Sequence, residues 1–431
     1  MDSWLSRRLR LAPKTFTAAL LVAGTCIGGG MLALPVAGGL AGFIPGLLTL
    51  FIVWILMSAT GLCLVEVGCW MQKSDAHIIT MASTILGRWA KWLIWVLFLF
   101  ISYASLTAYT AGCGSLFAES LSSLLKTNIS KTTGCWLFVL AFGPLLLGSR
   151  SLLGRANNVL FVLMVVAYFV IIGRGIGLVE TENLLRHDWS FAYLAIPLII
   201  TAFSYQTMVP SLHSFLDNNK RSLRAAVLLG TTLALAAYAL WQLVIFGSVP
   251  LEGSSGLSAA FEAGEPATFC LSRLTSSAAV THASFFFALF ALVTSFLGIG
   301  IGLVDFLSDG LKIQRKGGGA IALGLLVLVP SLFFAISYER IFLIALDISG
   351  GFGDTILNGI IPLAMLWIGA KRFAPNLLRS RLRRVIILLL PILFALAFAA
   401  EIKARRTEAA ASPPPVELGA ECSLGRSHAL G

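Results

Sequence analysis

Long uncharged apolar stretches separate short clusters of charge along almost the whole chain. No Asp, Glu, Lys or Arg falls between Lys14 and Glu66. Similar gaps run from Lys91 to Glu119, Lys131 to Arg150, Arg155 to Arg174, Asp188 to Asp217, Arg224 to Glu252, Arg273 to Asp305 and Lys316 to Glu339. A spanning helix needs roughly 20 apolar residues, so the first gap alone holds two passes. The pattern predicts eleven spans, at about 13–38, 43–70, 90–117, 133–149, 155–178, 190–215, 223–247, 277–306, 318–337, 341–369 and 385–402. An all-α polytopic membrane domain over 1–402 follows, because backbone in lipid must satisfy its hydrogen bonds within each helix. Residues 403–431 lose the apolar pattern and are expected to be a disordered tail.

Composition agrees. Of 431 residues, 58% are hydrophobic and 12% charged, with a mean hydropathy of +0.90, whereas soluble domains carry about a quarter charged residues. With the N-terminus cytoplasmic, 21 of the 31 Lys and Arg fall on inner segments, 6 on outer ones and 4 in the tail. That positive-inside asymmetry accounts for the net charge of +11 without a nucleic-acid partner. The basic start "RRLRLAPK" leads into an apolar run too long for a secretory signal and without an A-x-A-like site, so an uncleaved first helix is expected. The seven cysteines form no C-x-x-C pair, and most sit in spans as small apolar filler. The five histidines are dispersed and form no H-E-x-x-H, which argues against a metal site or an intramembrane enzyme. The long connection 250–276 suits an external cap over the bundle.

Inside the first apolar run lies "GTCIGGGMLALP", residues 24–35. Each helix-interior Gly costs about 1 kcal/mol relative to Ala, and unwound backbone in hydrocarbon costs several kcal/mol per group. Close packing of the G-x-x-x-G kind needs one helix face, whereas three glycines in a row cover all of them. Gly28, Gly29 and Gly30 therefore predict an unwound turn facing a protein-lined cavity. Amides opening the second half-helix attract a carboxylate, and carbonyls closing the first half suit an ammonium group or a cation. The sixth span, "AIPLIITAFSYQTMVPSLHSF", has a second interruption at Ser204-Tyr205-Gln206, between Pro197 and Pro210. Spans 1 and 6 correspond if about 13–178 and 190–369 are two five-span repeats. Five is odd, so the second repeat enters from the opposite side. Paired interruptions of this kind point to a transporter's central site.

In this order and at these spans, "GTCIGGGMLALP", "FSYQTMVPSL", "TSFLGIGIGLVDFLSDGL" and "NGIIPLAMLW" resemble the hallmarks of the tryptophan/tyrosine permease family. These are the hydroxy and aromatic amino acid permeases of the amino acid–polyamine–organocation superfamily, and the chain most resembles the tyrosine-specific members. The likeness covers about 13–402. It implies a leucine-transporter-like 5+5 inverted repeat, alternating access and symport of an aromatic amino acid across the bacterial inner membrane, usually with H⁺. Small neutral or hydroxy amino acids as substrate, and Na⁺ as the ion, remain alternatives. No cofactor is implied, and a monomer or weak oligomer in the bilayer is expected.

The resemblance also implies roles. Gly28, Gly29 and Gly30 match the unwound first helix, whose amides would hold the substrate carboxylate. Phe203, Ser204 and Tyr205 match the break in the sixth. Their carbonyls would receive the ammonium, and the two rings either flank an aromatic substrate or fill the bundle core. Thr294 and Ser295 match hydroxyls that face the first helix in sodium-coupled relatives; they either bind a cation or only link helices. The fifth span, "ANNVLFVLMVVAYFVIIG", lacks the Lys carried there by some proton-coupled relatives.

Other candidates come from the residues themselves. Tyr103 and Tyr109 lie near the middle of the third span, about 1.7 turns apart, so only one can point to the centre. Ionisable groups inside a membrane are functional suspects by default; here they are Glu66, His213, Asp305, Asp347 and Asp354. Glu66 and Asp305 are ion-coupling candidates, although their places near span ends suit a structural ion pair or a gate. Asp347 and Asp354 flank "ISGGFG", a second glycine cluster that suits a hinge.

Overall fold

Each predicted span is built of helix, interrupted within spans 1 and 6, in the computed structural model, which describes residues 2–71, 77–148, 150–275, 277–338, 340–379, 388–399 and 402. The tail expected at 403–431 lies outside the described residues. Among those residues, eight helices are long and apolar enough to cross a membrane. They are span 2 (Phe43–Trp70), span 3 (Arg88–Leu125), span 5 (Gly154–Leu178), span 6 (Trp189–Phe215), span 7 (Lys220–Ser248), span 8 (Ala278–Leu311), span 9 (Gly318–Ser337) and span 10 (Ile341–Phe373). Span 1 is a bent pair, Pro13–Cys26 and Gly29–Gly38. Span 4 is the apolar helix Lys131–Leu147, as long as expected, and the described part of span 11 is Leu388–Ala399. In span 4, Pro144 sits in a closing 3₁₀ turn at Gly143–Leu147, because proline removes an N–H that a longer α-helix would need. Among the described residues, nine of the eleven expected spans are thus long and apolar enough to cross a membrane, counting the bent pair as one, and the other two are apolar helices of 10–17 residues.

The helices sort by burial. The apolar windows of spans 5 and 9 are 33% buried, against 61% for span 8 and 67% for span 10. Spans 5 and 9 present Val162, Val166 and Phe169, and Leu325, Val329 and Phe333, to the surroundings, as the rim of a lipid-embedded bundle does. The centre is left to spans 1, 6, 8 and 10.

Two connections close over one end of span 1. Within the predicted cap, residues 250–275 include the short helices Leu257–Ala263 and Ala267–Leu274, which pack on Gly29–Gly38. The segment before span 6 donates from Arg186 Nη2 to the Gly39 carbonyl at 2.7 Å and from the Asp188 amide to Ala41 at 2.8 Å. Both satisfy carbonyls that a helix end leaves without partners.

Candidate functional site

The axis of span 1 turns by 55° at Ile27 and Gly28. The freed Gly29 amide, one of the N–H groups a helix start leaves unpaired, donates to Ser295 Oγ of span 8 at 2.9 Å. Proximity is what demands glycine here. A methyl on Gly28 would stand 2.3 Å from Ser295 Oγ, and one on Gly29 would stand 2.5 Å from the Tyr109 ring. The Tyr109 hydroxyl reaches Ser295 and Ser105. On the next residue, a methyl at Gly30 would lie 3.4 Å from Ala202 Cα, so the two interrupted spans meet at their breaks.

Span 6 is helical over Ile196–Ala202, opens at Phe203–Tyr205, makes one 3₁₀ turn at Gln206–Met208 and resumes at Val209–Phe215. Pro197 and Pro210 each sit in the first turn of a half-helix, where the missing N–H has no intrahelical partner to lose. The half-helices before the two breaks end on the carbonyls of Cys26 and Ala202. Both point at the Tyr238 hydroxyl of span 7, at 2.6 Å and 2.8 Å, with one proton to share between them. Trp241 Nε1, one turn further along span 7, donates to the Met31 carbonyl at 3.0 Å. Span 7 thereby ties both breaks together. A single Tyr in an apolar helix carries no sequence signal for that role.

The rings of span 6 point elsewhere than toward a shared pocket. The Tyr205 hydroxyl donates to the Met57 carbonyl of span 2 at 3.1 Å, and a methyl on Gly61 would overlap that hydroxyl at 2.0 Å. Gln206 Nε2 donates to the same carbonyl at 3.2 Å and to Thr60 Oγ1 at 3.1 Å. Phe203 stands edge-on to Tyr238 with centroids 5.1 Å apart. These rings pack the bundle around the break.

Opposite the opened turn, span 10 widens into π-helical turns over Ser349–Ile360, a distortion often found at functional sites. There Asp354 is buried to 1% exposure. Its Oδ1 accepts from Ser204 Oγ at 2.6 Å and from Asn358 Nδ2 at 2.7 Å, and its Oδ2 accepts from Ser349 Oγ at 3.2 Å. Asn358 Nδ2 also donates to Ser204 Oγ at 2.7 Å. Gly350 lets span 10 come this close, since a methyl there would fall 1.8 Å from the Pro197 carbonyl. Among the described residues, no Lys or Arg forms an ion pair with Asp354.

The remaining candidates lie apart from the breaks. Tyr103 donates to the Leu326 carbonyl of span 9 at 2.8 Å; six residues turn it about 120° from Tyr109, so Tyr109 is the inward member of the pair. Thr294 Oγ1 donates within its own helix, to Phe290 at 2.8 Å, and only Ser295 of that pair reaches span 1. Glu66 pairs with Lys220 Nζ at 2.5 Å and Arg224 Nη2 at 2.9 Å, joining spans 2 and 7. Asp305 pairs with Arg315, which also donates to the Leu146 carbonyl at 3.3 Å. Asp305 is ten residues beyond Ser295, about 15 Å along the helix. The structure therefore puts Glu66 and Asp305 in ion pairs away from the central breaks.

Comparisons with known proteins agree with this architecture. The model of the tryptophan/tyrosine permease family matches residues 11–399, and the chain belongs to that family. The tyrosine-specific transport system 1 of Haemophilus influenzae is 33% identical over 370 residues, covering 84% of this chain and 90% of that protein. A tryptophan-specific transport protein of the same organism is 28% identical over 377 residues, covering 84% and 89%. Among solved structures, MhsT in complex with L-phenylalanine superimposes with a TM-score of 0.62 at 15% identity, covering 89% of this chain and 98% of that one. The chain thus has the leucine-transporter-like fold, with discontinuous first and sixth spans.

Proposed function

We propose that this member of the tryptophan/tyrosine permease family imports tyrosine, or a closely similar aromatic amino acid, across the bacterial inner membrane by proton symport. The N-terminus would be cytoplasmic, as the Lys and Arg asymmetry favours. The observation that carries the proposal is the meeting of the two breaks at Gly30 and Ala202, beside the Gly29 amide and the Tyr109 ring. Relatives named for tyrosine and tryptophan transport, and a solved neighbour holding L-phenylalanine, support an aromatic substrate.

In this proposal the amides of Gly28, Gly29 and Gly30 bind the carboxylate, replacing Ser295 as partner of the Gly29 N–H. Backbone carbonyls at Phe203–Tyr205 take the ammonium. Tyr109 flanks the aromatic side chain by edge or offset contact, while Phe203 and Tyr205 act through their backbone alone. A zwitterionic substrate carries no net charge, so a coupled cation must supply the drive. One cation gains about 2.3 kcal/mol per 100 mV, enough for roughly fiftyfold accumulation.

Uptake of radiolabelled tyrosine into cells tests this, with a protonophore added and, separately, with sodium removed. The expected result is uptake abolished by the protonophore, indifferent to sodium and competed by aromatic amino acids. Competition by small neutral amino acids alone would reject the substrate class, since glycine amides recognise any amino-acid backbone.

A further inference from the structure

We infer that Asp354 is the group that carries the coupled proton, and that Ser204 and Asn358 pass its charge state to the opened turn of span 6. This rests on the symport proposed above and names the residue behind it. A carboxyl in the middle of a membrane domain is costly unless paired or functional, and Asp354 has hydrogen bonds but no cation among the described residues. Its bonds reach the one segment whose winding is broken beside the putted-together glycines of span 1, through Ser204 at 2.6 Å. By contrast, Glu66 and Asp305 already have basic partners.

Among the described residues, the titratable groups on the elements around it are few. From span 3 comes Tyr109, which interacts electrostatically with Asp354. Span 6 brings Tyr205, whose hydroxyl is turned to Met57. Span 2 brings, at its end, Glu66, held by Lys220 and Arg224. On its own helix Asp347 lies seven residues before and Lys371 seventeen after, about 10 Å and 25 Å along the axis.

The hydrogen bonds define how a proton would be read. As a carboxylate, Asp354 accepts from Ser204, Asn358 and Ser349. When a proton from the aqueous phase forms an O–H bond on Oδ1, that oxygen becomes a donor and needs an acceptor. Asn358 Oδ1 is buried with no partner, and a half-turn of the carboxamide presents it to the new O–H. The same turn withdraws the Nδ2 bond from Ser204. Release of the proton to the opposite side restores the carboxylate and the original bonds. The charge state of span 10 thus alters the support of the break in span 6.

The test uses the full chain purified and reconstituted in vesicles, with tyrosine as the probe. Calorimetry in buffers of different ionisation enthalpy counts protons bound with substrate. The wild type is expected to take up about one proton per tyrosine, and Asp354→Asn none. Asp354→Asn is expected to retain measurable tyrosine counterflow but to lose uphill uptake, from roughly fiftyfold per 100 mV to equilibration. Proton uptake and accumulation as in the wild type would overturn the inference. If Asp354→Asn is not monodisperse, Asn358→Leu keeps the carboxylate and removes the acceptor for its protonated form. Driven uptake should then slow by about tenfold or more relative to counterflow, and an unchanged ratio would also overturn it. Sodium-driven, proton-independent uptake by the wild type itself would sink the symport proposed above, so the two failures separate.

Discussion

In span 1 the chain opens at glycines, and its freed amide meets a neutral hydroxyl, Ser295. In span 6 it opens at Phe203–Tyr205, and Ser204 meets a buried carboxylate, Asp354. The first break has no side chains of its own at Gly28–Gly30; neighbours press against bare backbone, and a methyl would collide with Ser295 or Tyr109. The second is held by three side chains on two sides, through Tyr205 and Gln206 to span 2 and through Ser204 to span 10. A break built from backbone offers fixed dipoles that do not titrate. One supported by a carboxylate can change with its proton. On the inference drawn above, the two breaks differ in kind, one suited to shape and the other to charge.

The largest effect should come from filling the backbone break. Gly29→Val is expected to reduce uptake to the level of empty membranes, because the branched side chain displaces Tyr109, with an overpacking cost of about 1–3 kcal/mol. Uptake assayed beside a size-exclusion profile checks this, and near-normal transport would show that the glycine contact is incidental. Next comes Tyr238→Phe, which strips the carbonyls of Cys26 and Ala202 of their shared donor. We expect a loss of about 1–3 kcal/mol, read as a lower melting temperature, together with weaker substrate affinity. An unaltered melting curve would mean that the two breaks do not depend on span 7.

Ser295→Ala and Ser204→Ala test the contrast itself. The first should weaken counterflow and proton-driven uptake alike, by up to about tenfold, since it removes one hydrogen bond to backbone. The second should slow driven uptake more than counterflow. Equal ratios for both variants would erase the distinction between the breaks. The smallest effect is expected from Tyr103→Phe, whose hydroxyl serves the Leu326 carbonyl; uptake should stay within about twofold of wild type, as for most substitutions away from a critical contact.

Much of the architecture was legible before any coordinates. Charge-free gaps located the spans, "IGGGM" marked the first break, and "FSYQT" with its two prolines marked the second. The candidate site was legible only in part. Tyr103 and Tyr109 look alike in sequence, and their directions depend on how span 3 is rotated against spans 8 and 9. The rings of Phe203 and Tyr205 were equally ambiguous, since an aromatic residue next to a break packs the bundle as readily as it lines a pocket. Asp354 stood out as an acid in a membrane, yet nothing in "ISGGFGD" announces that its partner is Ser204, 150 residues earlier.

Local composition alone marked which segments are apolar enough to cross a membrane and where two of them must unwind. Those properties follow from the cost of putting charge or unpaired backbone into hydrocarbon, which each segment incurs without regard to its neighbours. Which hydroxyl meets which amide, which tyrosine turns inward and which acid meets the opened turn arose only from helix packing. Such contacts join residues far apart in the chain, and a shift of one residue along a helix rotates a side chain by about 100°.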